Sequence, residues 1–136
     1  MLMQEIKMRK VTEYELLRKA QHLAQHLKEL CKECGSEDLA EQITAIASSM
    51  PAVLVGANND TAAGYLTRIR RIIEDNENLS RLLLLARGKG LLSFDQWQRW
   101  SDELGLFGRM LTAMCKSTTC QPEPLSLTFT TELYLQ

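Results

Sequence analysis

Six large apolar residues of one segment, Trp97, Trp100, Leu104, Phe107, Leu111 and Met114, recur in alternating steps of three and four. An α-helix turns about once every 3.6 residues, so this spacing lines all six along one face. A strand, with a period of two, would scatter them over both faces. A helix carrying such a seam needs other helices to cover it. The seam therefore predicts an all-α protein, and the chain must supply the partners.

Three further segments supply them. The first runs from Thr12 to Cys34, with Leu16, Leu17, Ala20, Leu23, Leu27 and Leu30 in one arc, and ends at Gly35. The second opens at "SEDL", where Ser36 caps and Glu37 and Asp38 suit the positive end of a helix. It carries Leu39, Ile43, Ile46 and Ala47, and a bend is expected at Ser48–Pro51 because proline removes a backbone hydrogen bond. It continues to about Val55, and "GANND" forms the turn. The third spans Thr61 to Arg87, with Tyr65, Ile69, Ile72, Ile73, Leu79 and Leu83 on its apolar face. Asn76 lies inside that face and needs a partner. Arg70 with Glu74, Arg71 with Asp75 and Glu77 with Arg81 are each four apart on the opposite side. "GKG" at Gly88–Gly90 closes this helix, and "SFDQ" at Ser93–Gln96 opens the last with a capping box. Gly105 and Gly108 weaken that last helix, which suggests that another backbone approaches there.

The stretch "HLAQHLKELCKEC" pairs His22 with His26 and Cys31 with Cys34 at spacings that bind metals. Helical geometry separates the pairs. With His22 at zero, His26 sits at roughly 40°, whereas Cys31 and Cys34 fall near 180° and 120°, among the leucines. No Gly or Pro between His26 and Cys31 breaks the helix to reunite them. The thiols read as small buried hydrophobes, the histidines as a solvated pair, and no metal or cofactor is expected.

Residues 1–117 thus read as a bundle, and 118–136 differ. "PLSLTFTTELYLQ" alternates Leu125, Leu127, Phe129, Leu133 and Leu135 with polar residues, a strand pattern without a partner strand. It reads as an extended tail that docks on a partner or a neighbouring subunit, with a free tail as the alternative. The start, "MLMQEIKMRK", lacks the apolar core of a signal peptide, and "LLLL" at Leu82–Leu85 is too short to span a bilayer. A cytoplasmic protein with reduced thiols and no membrane partner is the expectation. The net charge of -1 argues against a generic polyanion binder. Residues 61–117, with 9 basic and 6 acidic side chains, are its basic part. No nucleophile–base pair or phosphate-cradling glycine loop is present, so no enzyme is expected.

Taken in order, "LLRKAQHL", "SSMP", "LLLLARGKGLL" and "LFGRML" resemble the four-helix-bundle protein family. That family includes the protein encoded in intervening sequences of large-subunit ribosomal RNA and the accessory variability determinant of diversity-generating retroelements. "LLSFDQW" followed by "LGLFGRML" is most similar to the second branch. The resemblance covers residues 12–117. It implies an antiparallel, up-down four-helix bundle assembling as a homopentameric ring, a basic surface that binds RNA or DNA, and a reverse transcriptase partner. Candidate phosphate contacts are Arg68, Arg70, Arg71, Arg87, Lys89, Arg109 and Lys116, with Arg87, Lys89 and Arg109 having the fewest acidic neighbours in sequence. The competing reading is an adaptor that binds only protein.

Overall fold

A computed structural model describes residues 12–56 and 61–119. Among them run four helices and no strand: α1 (Glu13–Lys32), α2 (Glu37–Gly56), α3 (Ala62–Gly88) and α4 (Phe94–Thr119). The all-α expectation is met. The apolar residues Leu125, Leu127, Phe129, Leu133 and Leu135 lie outside the described residues.

Helix starts follow local chemistry. Thr12 and Glu15 form a reciprocal capping box on α1, the Thr12 hydroxyl accepting from the Glu15 N–H at 3.0 Å. Thr61 accepts from the Gly64 N–H at 3.1 Å, and the Ser36 hydroxyl from the Leu39 N–H at 3.4 Å. The expected Ser93–Gln96 box is present, with bonds of 2.9 and 3.1 Å. Helix ends differ from one another. Gly90, at φ 77°, ends α3 in a Schellman motif: its N–H donates to the Arg87 carbonyl and that of Leu91 to Ala86, both at 2.9 Å. Gly35 does not play this part for α1, since Gly90 alone among the described residues has a positive φ. Tightened bonds from Glu33 to Leu30 and from Cys34 to Cys31 close α1 instead.

Links of four or five residues join successive helices. A link that short cannot run back along a helix of about 30–40 Å, so packed neighbours are antiparallel. Each helix packs on its chain neighbours, α4 closes on α1 through the sparsest seam, and the diagonal pairs do not meet. Leu16, Ala20, Leu23 and Leu27 of α1 face Ile43, Ala47 and Met50 of α2, Ile69, Ile72, Leu79 and Leu83 of α3, and Leu104, Phe107 and Leu111 of α4; all are buried in one core. Truncating Phe107 to Ala would cost about 3–5 kcal/mol by transfer and cavity terms. The seam read from α4 is thus its buried face, apart from Trp97, which is half-buried. α2 runs on through Pro51. It is long and apolar enough by length and composition to cross a membrane, but Leu39, Ile43, Ala47, Met50 and Leu54 are buried in the bundle.

Candidate functional site

The turn between α3 and α4 gathers cations and rings. The left-handed Gly90 reverses the chain, Leu92 drops into the core, and the Ser93 cap starts α4 at once. Phe94 and Trp97, about one turn apart, are thereby brought beside the end of α3. The Arg87 guanidinium lies 5.1 Å from the Phe94 ring centroid and 5.0 Å from that of Trp97. The two rings are 5.5 Å apart and tilted by 51°. Each such contact is worth about 0.5–1 kcal/mol at an exposed site, enough to orient Arg87 without removing it from solvent. Phe94 is 54% exposed, Lys89 is exposed on the same turn, and Leu84 and Leu85 are exposed near the end of α3. Chemically, this is an open aromatic face with two positive charges beside it.

A second cluster fills the α1–α4 seam, one turn further along α4. Trp100 is buried there, with the His26 ring centroid at 5.5 Å and that of His22 at 6.4 Å. The imidazoles lie 4.1 Å apart, and Arg99 sits 5.0 Å from the Trp100 ring. His22 is exposed and His26 half-buried, as expected of solvated rings, and both also lie tilted against the tryptophan, a contact between helices that the α1 sequence cannot reveal. Partial burial, then His26, Lys19 and Arg99, holds His22 below the ordinary imidazole range, while Glu103 opposes the shift. Lys19 donates to Glu103, and this bond chiefly keeps the Glu103 carboxyl below its usual range. The Lys19–Glu103 ion pair thus ties α1 to α4, whereas Arg81 of α3 donates to the Asn78 side chain of its own helix.

Cys31 is buried and Cys34 half-buried. Burial, then Cys34, pushes the Cys31 thiol up, against a hydrogen bond with Thr44. Among the described residues no three of the histidines, cysteines and carboxylates converge as a metal site.

The third feature is a groove of about 500 Å³ between α3 and α4, with Asn76 at its floor. The Asn76 Nδ2 donates to the Leu104 carbonyl at 2.9 Å, and its Oδ1 is buried without a partner among the described residues. Gly108 makes room for this amide: a Cβ there would lie 3.2 Å from Nδ2. The close approach at Gly108 is thus by a side chain, not by a backbone, and a Cβ at Gly105 would meet only Arg109 of its own helix.

The seven candidate cations fall into separate groups on one protomer. Arg87 and Lys89 belong to the turn. Arg109 and Lys116 line the groove. Arg68 lies over the end of α2 at Gly56, Arg71 lies near Asp75, and Arg70 lies near Cys115. Burial raises Asp75 and Cys115, and the neighbouring arginine opposes the rise in each. Arg68 and Arg87 are separated by about 28 Å along α3. Sequence reasoning missed Phe94, the stacked histidines and the Asn76 groove as surfaces. Of these, Phe94 was signalled by its place directly after the capping serine, and the groove by Asn76 in an apolar arc and by Gly105 and Gly108.

No protein-family model, no curated protein and no solved structure matches this chain. Fold and surface define a class: a four-helix bundle with a cation–aromatic turn.

Proposed function

We propose that the chain is a non-catalytic accessory protein that self-associates, binds single-stranded RNA and presents it to a reverse transcriptase. One observation carries the reading: Arg87 held over Phe94 and the half-buried Trp97, with Arg87, Lys89 and Phe94 exposed. Single strands are held by rings on which bases stack and by cations that track phosphates, and this turn offers both. The resemblance to the family containing the retroelement accessory protein supports the same partner class and a ring of five. Assembly draws support from α2, which carries no charged residue from Gln42 to Gly56. A surface of that kind suits a protein neighbour better than a free solvent face. The bend expected at Pro51 would curve that surface. Repetition around a ring would multiply a patch of two cations, and counterion release would make binding fall steeply with salt. Arg68, Arg70, Arg71, Arg109 and Lys116 are secondary phosphate contacts in this reading.

The test is fluorescence anisotropy of a labelled single-stranded RNA of mixed sequence, titrated with the protein across a salt series. Wild type should bind at low salt and quench Trp97. Arg87→Glu with Lys89→Glu should weaken binding about tenfold or more and flatten the salt slope by about one for each phosphate no longer neutralised. Absence of binding at low salt, or binding indifferent to this double change, contradicts the proposal. The exposed Leu84, Leu85 and Leu106 favour a second reading, an adaptor for protein alone, which that outcome would leave standing.

A further inference from the structure

We propose that residues 120–136 of the same chain dock in the groove between α3 and α4. The groove is a built feature. Gly105 and Gly108 keep its α4 wall low over Asn76, Ile73 gives it an apolar flank, and Arg109 and Lys116 outnumber Glu77 along it. Its floor holds the strongest sign of an occupant. Asn76 is 6% exposed, and its Oδ1 has no partner among the described residues. A buried acceptor left unpaired costs about 1–3 kcal/mol, and the amide that carries it lies at the groove floor.

The occupant follows from chemistry and reach. Residues 120–136 contain Glu123 and Glu132 and no basic side chain, which complements a groove with two cations and one carboxylate. Leu125, Leu127 and Phe129 share one edge of an extended segment, suited to the Ile73 flank. Pro122 and Pro124 come shortly after α4, and proline does not continue a helix. From Lys116 back to Gly105 is about 17 Å of helix. Seventeen extended residues span up to about 56 Å, more than enough to return along the groove. Tethering to the end of α4 raises the effective concentration far above that of another copy's segment.

The experiment uses the full chain with photoreactive benzoylphenylalanine in place of Phe129. After irradiation, mass spectrometry should locate cross-links on residues 73–77 or 105–113. Mixing light and isotopically heavy protein should give no mixed pairs. Arg109→Glu with Lys116→Glu, both exposed positions, should lower the yield about fivefold, as expected for two surface ion pairs. Adding Glu123→Lys with Glu132→Lys should restore it, and circular dichroism verifies that each variant stays helical. Cross-links elsewhere on the bundle, mixed-isotope pairs that reveal a second copy, no cross-link, or a yield indifferent to charge reversal would each overturn the proposal.

Discussion

The amide of Asn76 sits among buried leucines and isoleucines with its Nδ2 bonded to Leu104 and its Oδ1 unpaired. An amide suits that place because its nitrogen can donate to a carbonyl that already belongs to a helix. Asn76→Asp removes the donor and turns a carboxylate toward the Leu104 carbonyl, with little solvent to compensate. A loss of about 3 kcal/mol is expected in urea unfolding, together with a pKa for the new carboxyl well above its usual range. An unchanged midpoint would mean that the amide does not face Leu104. The need of Asn76 for a partner is legible in the sequence from its place in an apolar arc. Which atom answers it is not, because that depends on how α3 and α4 are set against each other.

Within α4, Gly105 and Gly108 have different tasks. Gly105→Ala adds a Cβ that meets only the Arg109 side chain, at 3.9 Å, so the gain in helix propensity should show as about 0.5–1 kcal/mol of added stability. Gly108→Ala sets its Cβ 3.2 Å from a bonded amide, so the same gain is offset and stability should not rise. Thermal melts of the two variants check this pair, and equal gains would contradict the close approach. The α1–α4 seam has its own signature. Folded His22 sits below the ordinary imidazole value of 6.5, so the unfolded chain takes the proton first. Stability should therefore start to fall as pH drops through about 6.5 and continue falling until folded His22 is protonated. Glu103, held below its ordinary 4.5, adds a second loss at lower pH as the Lys19 bond is protonated away. His22→Gln should remove the first limb and leave the second, read from melting temperature against pH. At this scale the sequence was most legible: the registers of all four helices and the Ser93 cap follow from spacing and capping chemistry. The histidine–tryptophan stack was not, since His22 and Trp100 are distant in sequence and meet only when the last helix closes on the first.

For the whole molecule, one bundle separates its cations into a turn, a groove and the first half of α3, so a broad basic face does not form on a single protomer. A weak patch repeated by assembly is the arrangement that could still hold a polyanion, and the functional reading depends on that repetition. The sequence indicated the fold class and the two cations of the patch, Arg87 and Lys89. It could not indicate that Arg87 and Phe94, on different helices, are joined by a left-handed glycine, nor how copies meet. Light scattering combined with absorbance at 260 and 280 nm, on the full chain purified at low salt, reads assembly and bound nucleic acid together. An integral multiple of the chain mass is expected, with excess absorbance at 260 nm that disappears in high salt. A single-copy mass with the absorbance ratio of protein alone would contradict the repeated patch.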